Sequence, residues 1–191
     1  MFSKYKGKFG YLKGQPVRIG LFTLAMLILC AGIFMAGFLI KGSSKNIFTV
    51  VAVLGMLPVA KMIVSLIMYF KAEKHSCDKD TYDKIEKCVE GKDVCYGYDF
   101  YMTSYKIDFP VKSAVVFDDS LICYMEKCKA DSKDLKEHID KYMANNSITG
   151  YKTYVLDNIE KYCDRLKSVS SDYAKTDSDI QVISLVKSLT L

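Results

Sequence analysis

Tryptophan is absent from the chain, and proline and histidine are scarce, at three and two residues. The first seventy residues contain no Asp or Glu. Each gap removes a class of function. His75 and His138, far apart in sequence, leave little material for acid–base or metal chemistry. The seven cysteines include no Cys-x2-Cys pair, the spacing of structural zinc sites. No glycine-rich run stands between a strand and a helix, so no phosphate cradle is expected; Gly7, Gly10 and Gly14 lack that context, and Gly91 and Gly97 are isolated. Nor does the formal net charge of +5 describe a basic surface. Residues 1–70 hold eight Lys or Arg, whereas residues 71–191 hold nineteen against twenty-two Asp or Glu. A slightly acidic second part lacks the electrostatic footprint of a nucleic-acid-binding protein.

What the chain does have is two long apolar runs, residues 19–40 and 47–70, joined by a polar link over 41–46. About 20 helical residues span the roughly 30 Å hydrocarbon core of a bilayer, so each run is predicted to cross one. Lys4, Lys6, Lys8, Lys13 and Arg18 precede the first run, Lys41 and Lys45 lie in the link, and Lys71, Lys74, Lys79 and Lys84 follow the second. The excess of positive charge outside the link predicts a multi-pass protein of the plasma or inner membrane, with both termini in the cytoplasm. The first run is too long for a signal-peptide core and is followed at once by another apolar segment. Three regions result: a basic, aromatic tail (1–16), a transmembrane hairpin (17–70) and a cytoplasmic domain (71–191). The tail reads either as a flexible segment or as one lying on anionic headgroups through Lys and Phe2, Tyr5, Phe9 and Tyr11. An odd cysteine count, with Cys30 inside a span, reads as free thiols on the reducing side.

Three features stand out in the hairpin. Gly32 and Ala36 are four apart and are expected to let the first span pack closely on the second. Pro58 removes a backbone donor and frees the carbonyl near Leu54. Lys61 lies past the middle of the second span by only about 4 Å at 1.5 Å per residue. It either snorkels, meets a partner, or lines an ion path in an oligomer. Freed carbonyls at the proline, the Thr23 hydroxyl and a group on another protein are its candidate contacts.

After residue 71, periodicity predicts a helix over 80–90 and strands over 94–102 and 105–112, the second with Pro110 at an edge or bulge. Residues 113–117 and 121–125 flank a hairpin turn at Asp118, Asp119 and Ser120. A helix over 132–145, a strand over 151–156, a helix opened by Asp157 with Glu160 three later, and a helix over 177–189 follow. The last is expected to pack on the domain or to dock on a bilayer or partner. The fold class is a two-helix transmembrane hairpin followed by a small α+β domain: a three-stranded meander plus one further strand, packed by three to four helices.

That order of a helix, three strands, a helix and a strand resembles, over about residues 80–156 and in order alone, the core of restriction-endonuclease-like nucleases. The resemblance implies an acid near the end of the second strand and an acid-x-Lys on the third, which together hold Mg²⁺ and place a water for phosphodiester attack. Asp118 or Asp119 stands where the first acid is needed. Glu126 stands on the third strand, but the residue two later is Cys128 rather than Lys.

Lys127, Lys129, Lys133 and Lys136 are interrupted by acids and read as a solvated face. Tyr96, Tyr98, Tyr101, Tyr105 and Tyr124 would mark a protein-binding face if exposed in a row. No cofactor or metal is expected. The expected partners are the lipid bilayer and another membrane protein or a second copy, not nucleic acid. The Lys- and Tyr-rich, Trp-free composition suits a bacterial genome of low GC content. The sequence therefore suggests a membrane-held, non-enzymatic interaction or assembly module. The alternatives are a membrane-tethered nuclease-like hydrolase and a small transporter subunit using Lys61.

Overall fold

The computed structural model of the protein describes residues 6–43, 46–104, 107–126, 131–170 and 173–191. Its elements are α1 (Tyr11–Lys41), α2 (Ile47–Glu73), α3 (Lys79–Val89), β1 (Cys95–Thr103), β2 (Asp108–Phe117), β3 (Ser120–Tyr124), α4 (Ser132–Asn145), β4 (Lys152–Leu156), α5 (Ile159–Lys167) and α6 (Asp177–Leu189). They form two compact units: Leu12–Lys74, and His75–Leu191 joined by the segment that ends at Tyr11.

In the first unit the two apolar runs are two long helices. α1 starts eight residues earlier than hydropathy alone placed it, and α2 runs to Glu73. Asn46 caps α2, its Oδ1 accepting from Thr49 N at 3.0 Å. Its Nδ2 donates to Gly37 O at 3.0 Å, which ties the link to the end of α1. Buried or half-buried positions recur at Thr23, Met26, Cys30, Ile33 and Gly37 on α1, and at Ala52, Gly55, Val59, Met62 and Leu66 on α2. Alternating steps of three and four give each helix one inward seam. Around that seam the apolar side chains are exposed, among them Leu21, Phe22, Ile28, Leu39, Val53, Leu57 and Ile67.

The second unit has a four-stranded mixed sheet in the order β1-β2-β3-β4. β1, β2 and β3 form an antiparallel meander, and β4 returns parallel to β3 after α4. One face packs Phe100, Met102, Val111, Val116 and Leu121 against Leu135 and Ile139 of α4 and Val182, Ile183 and Val186 of α6. The other packs Tyr98, Val115 and Ile122 against Ile85 of α3 and Tyr162 and Leu166 of α5. The expected α+β arrangement is therefore present, with helices on both faces, and α6 is a core helix of the domain. Pro110 lies in β2 opposite Tyr101, beyond Ser113 and Tyr124, the last β2–β3 pair towards that end. Its missing N–H thus falls where β2 has only one neighbour. One boundary differs in chemistry: Asn158, not Asp157, caps α5, accepting from Glu160 N at 2.7 Å. Its side chain reaches those amides from one residue nearer the helix.

Two features are invisible to periodicity. Cys95 on β1 and Ala114 and Val116 on β2 face the α4/α6 side, as do Phe100 and Met102 on β1 and Phe109 and Val111 on β2. Each strand therefore changes parity once, at the opposed positions Asp99 and Lys112. Asp99 there has a positive φ of 56°, a conformation that is uncommon outside glycine. The second feature concerns residues 6–11, expected as a free or headgroup-bound tail; instead they fold onto this unit. Gly7 O accepts from Tyr98 N at 2.9 Å, and Tyr11 OH donates to Leu191 O at 3.2 Å. Lys6 Nζ donates to Thr190 O. Phe9 stacks on Tyr82 with ring centroids 4.2 Å apart. Backbone contact this close needs glycine on both sides. Gly7 has φ 83°, and a Cβ on Gly97 would lie 2.6 Å from Phe100 Cζ and 3.0 Å from Gly7 O.

Gly97→Ala is therefore expected to lift residues 6–9 from β1 and to lower stability by about 1–3 kcal/mol through overpacking. Hydrogen exchange of the Tyr98 amide reads this directly. Protection equal to that of the wild type would mean that the contact at Gly7 does not hold the segment.

Candidate functional site

The hairpin residues come first. Gly32 and Ala36 do not sit in the α1–α2 seam. Both are exposed, and a Cβ on Gly32 would meet nothing within 4 Å. The close approaches are at Gly37 and Gly55, where a Cβ would collide with Phe48 Cβ and lie 2.8 Å from Cys30 Sγ, respectively. Four-residue spacing alone selects any helix stripe; contact with α2 decides which stripe is inward. Pro58 lies inside α2 and is exposed. Lys61 is exposed too, and its Nζ has no partner among the described residues. Two of its expected contacts fall away. The Thr23 hydroxyl is buried and donates to Ile19 O at 2.7 Å. Leu54, whose carbonyl Pro58 leaves without a donor, is seven residues from Lys61, about 10 Å along the axis at 1.5 Å per residue.

In the α+β unit the expected acid pair is not assembled. Asp118 and Asp119 form the β2–β3 turn, with φ of 48° and 52°, values that a two-residue hairpin turn favours. Their backbones are engaged, Asp118 N donating to Tyr173 OH and Asp119 O accepting from Lys152 N. Glu126 lies past the opposite end of β3. Five strand residues separate them, roughly 17 Å at 3.3 Å each. The turn chemistry that made Asp118 and Asp119 legible as a hairpin is the same fact that places them away from Glu126.

Glu126 instead meets Lys112, at the end of the strand expected over 105–112. Lys112 Nζ is 2.7 Å from Glu126 Oε2 and 2.9 Å from Asp78 Oδ1. Asp78 is the α3 N-cap, accepting from Thr81 N at 3.0 Å. Beside it, Cys77 N donates to the buried Asp99 Oδ1 at 2.6 Å. The parity change at Asp99 and Lys112 turns these side chains towards the start of α3. Burial by itself would lower the Lys112 pKa, but its bonds to Glu126 and Asp78 outweigh that and raise it. Likewise burial would raise the Asp78 carboxyl, yet the Lys112 ammonium and the Thr81 amide hold it below the usual range. One ammonium between two carboxylates leaves a net negative charge, and the cluster fastens the start of α3 to β2 and to the segment after β3.

A cavity of about 620 Å³ adjoins it, lined by Tyr124, Glu126, Asp157, Asn158 and Glu160 at the carboxyl ends of β3 and β4. No group of three or more metal-ligating side chains occurs among the described residues. Lys127, Cys128 and Lys129 lie outside them, as does Tyr105. Cys88 and Cys163 share a second groove with Lys84, Lys87 and Lys167. Burial, with Cys88 alongside, pushes the Cys163 thiol up to about 12, and burial does the same for Cys123. His138 packs against Phe109 and Tyr142 rather than a thiol, and burial lowers its pKa. The tyrosines do not form an exposed row, since Tyr98, Tyr101 and Tyr124 are buried. Asp179, on α6, was not singled out in sequence. It accepts from Tyr151 OH, Tyr173 OH, Thr176 N and Thr176 Oγ1 at 2.7–2.8 Å. Comparison with protein-family models, with curated proteins and with solved structures found no match.

Two outcomes are expected. Lys112→Met should cost about 1 kcal/mol at neutral pH, the modest scale set by half-exposed Asp78 and Glu126. The Asp78 part of that loss is present above the unfolded carboxylate pKa near 4 and vanishes as pH falls through the depressed folded value. The Lys112 part is present below about 10.4 and is lost as pH rises through its raised value. Thermal unfolding at pH 2 and pH 7 reads the acid side, and equal losses at both would exclude the ion pairs as the cause. Separately, Cys123 and Cys163 should alkylate slowly at pH 8 in folded protein and rapidly in denaturant, as peptide mass mapping would report. Rapid labelling of either in folded protein would contradict its burial.

Proposed function

We propose that this chain is an integral membrane protein that crosses the bilayer twice. In this reading it holds its α+β domain at the cytoplasmic surface of the plasma or inner membrane as a non-enzymatic interaction or assembly module. The observation that carries the reading is the exposure of α1 and α2. Only 17% and 11% of their most apolar stretches are buried. A core helix of a water-soluble protein buries such a stretch, whereas a membrane helix presents it to lipid with its backbone hydrogen bonds satisfied internally. Both helices exceed the length needed, since α1 has 31 residues and α2 has 27, against about 20 for a bilayer core.

Sidedness has two independent supports. One is the cationic, acid-free sequence flanking the spans, which favours the cytoplasm. The other is residues 6–11: they belong to the same folded unit as His75–Leu191, which supports a common side for the chain before α1 and the chain after α2. The buried, unoxidised thiols suit a reducing compartment.

A binding role is favoured over hydrolysis because the acids that a nuclease-like centre would bring together stand at opposite ends of β3. The strand order and the parallel return of β4 do agree with the element order that suggested such a hydrolase, but fold alone carries no activity. The transporter reading requires an oligomer that places Lys61 in a lumen; its exposed position on α2 suits that reading as well as a docking face.

The protein should stay in the membrane pellet after alkaline carbonate extraction. Ser43→Cys should react with an impermeant maleimide added to intact cells, while a cysteine added after Leu191 should react only after permeabilisation. Carbonate extraction into the supernatant would overturn the membrane reading, and the opposite labelling pattern would overturn the orientation. Cleavage of DNA or RNA by the purified full chain with Mg²⁺, lost in Glu126→Ala, would replace the binding role with the hydrolase.

A further inference from the structure

We propose that α2 docks, through the face that carries Lys61, on a transmembrane helix of another protein that presents a carboxylate near mid-bilayer. This rests on the reading of the hairpin as membrane-spanning. Lys61 projects away from the seam formed by Ala52, Gly55, Val59 and Met62, and lies among the exposed residues Leu54, Leu57, Pro58 and Val64. Its Nζ has no partner among the described residues. The hydroxyl of Ser65, one turn on, is already donated to Lys61 O at 3.1 Å.

An ammonium in that position cannot simply reach water. Nine residues separate Lys61 from Phe70, roughly 13 Å of rise, about twice what an extended lysine side chain covers. Left in hydrocarbon it is costly, and a carboxylate at the same depth would offset that cost.

The charge identifies the occupant. Between Leu12 and Ala72 the chain has no Asp or Glu. A second copy therefore brings another lysine and no counter-charge to that depth, and self-association through this face would set two like charges together. The complement must come from a different protein, as an Asp or Glu on an otherwise apolar helix. The flat stripe of Leu54, Leu57 and Val64 supplies the apolar contact around the pair, and Pro58 leaves the Leu54 carbonyl open to a hydroxyl or amide donor on the same partner helix.

The test uses the full chain reconstituted in phosphatidylcholine vesicles, with a donor fluorophore on a C-terminal tag. The probes are synthetic Leu/Ala transmembrane peptides bearing an acceptor fluorophore and one central Glu, Lys or Leu. The Glu peptide should associate about tenfold more tightly than the Leu peptide, as expected for one intramembrane polar pair. Lys61→Leu should abolish the difference, Lys61→Arg should keep it, and Lys61→Glu should switch the preference to the Lys peptide. Equal binding of Glu and Leu peptides by wild type would overturn the proposal, as would an undiminished Glu preference in Lys61→Leu. Energy transfer between differently labelled copies of wild type that is lost in Lys61→Leu would also overturn it, in favour of self-association. Failure of the chain to enter vesicles, seen by flotation, would instead overturn the membrane reading beneath it.

Discussion

One backbone hydrogen bond, from the Tyr98 amide to the Gly7 carbonyl, changes the meaning of the whole chain. It places the segment before the hairpin inside the same folded unit as the sheet. The hairpin is thus an insertion into a domain rather than an anchor ahead of one. Both ends of that insertion are fixed in the domain: Lys6, Phe9 and Tyr11 on the incoming side, and Cys77 and Asp78 on the outgoing side.

The polar groups inside the domain are organised to hold those points. The Ser113 hydroxyl lies 3.0 Å from the Tyr162 hydroxyl and donates to Gly97 O, linking α5 to the strand on which Gly7 rests. Tyr98 OH donates to Glu86 of α3 at 3.0 Å. Lys112 joins the start of α3 to Glu126. Asp179 gathers two tyrosines and a threonine at the start of α6, and those donors together outweigh the burial that would otherwise raise its carboxyl pKa. Buried polar groups satisfied this fully add rigidity rather than reactivity. This is why the clusters found in the domain read as fastenings more readily than as a catalytic centre.

The parts legible in the sequence were those set by local chemistry. The ends of α4 and α6, the turn at Asp118 and Asp119, and the alternation of Phe109 and Val111 follow from caps, turn residues and periodicity. The missed parts depend on partners distant in sequence. Nothing within residues 6–11 says that they rest on Tyr98, because the space for them is made by Gly97. Gly32 and Ala36 share one stripe of α1, while Gly37 and Cys30 lie on another, and only contact with α2 decides which is inward. Lys112 looked like an ordinary polar position on a strand until the parity change opposite Asp99 turned it towards Asp78. Asp157 and Asn158 are adjacent and both able to cap, so the choice between them rests on where β4 ends.

The segment at Gly7 also imposes an order of events on synthesis. It leaves the ribosome about ninety residues ahead of Tyr98, so it must wait, unpaired, while both apolar helices are made and placed. The contact spans a long loop whose closure carries a substantial entropy cost. The domain is thus completed only after the hairpin has settled. In the membrane reading proposed above, a hairpin left half inserted would strand the segment on the wrong side of its own sheet, and folding of the domain would report on delivery of the helices.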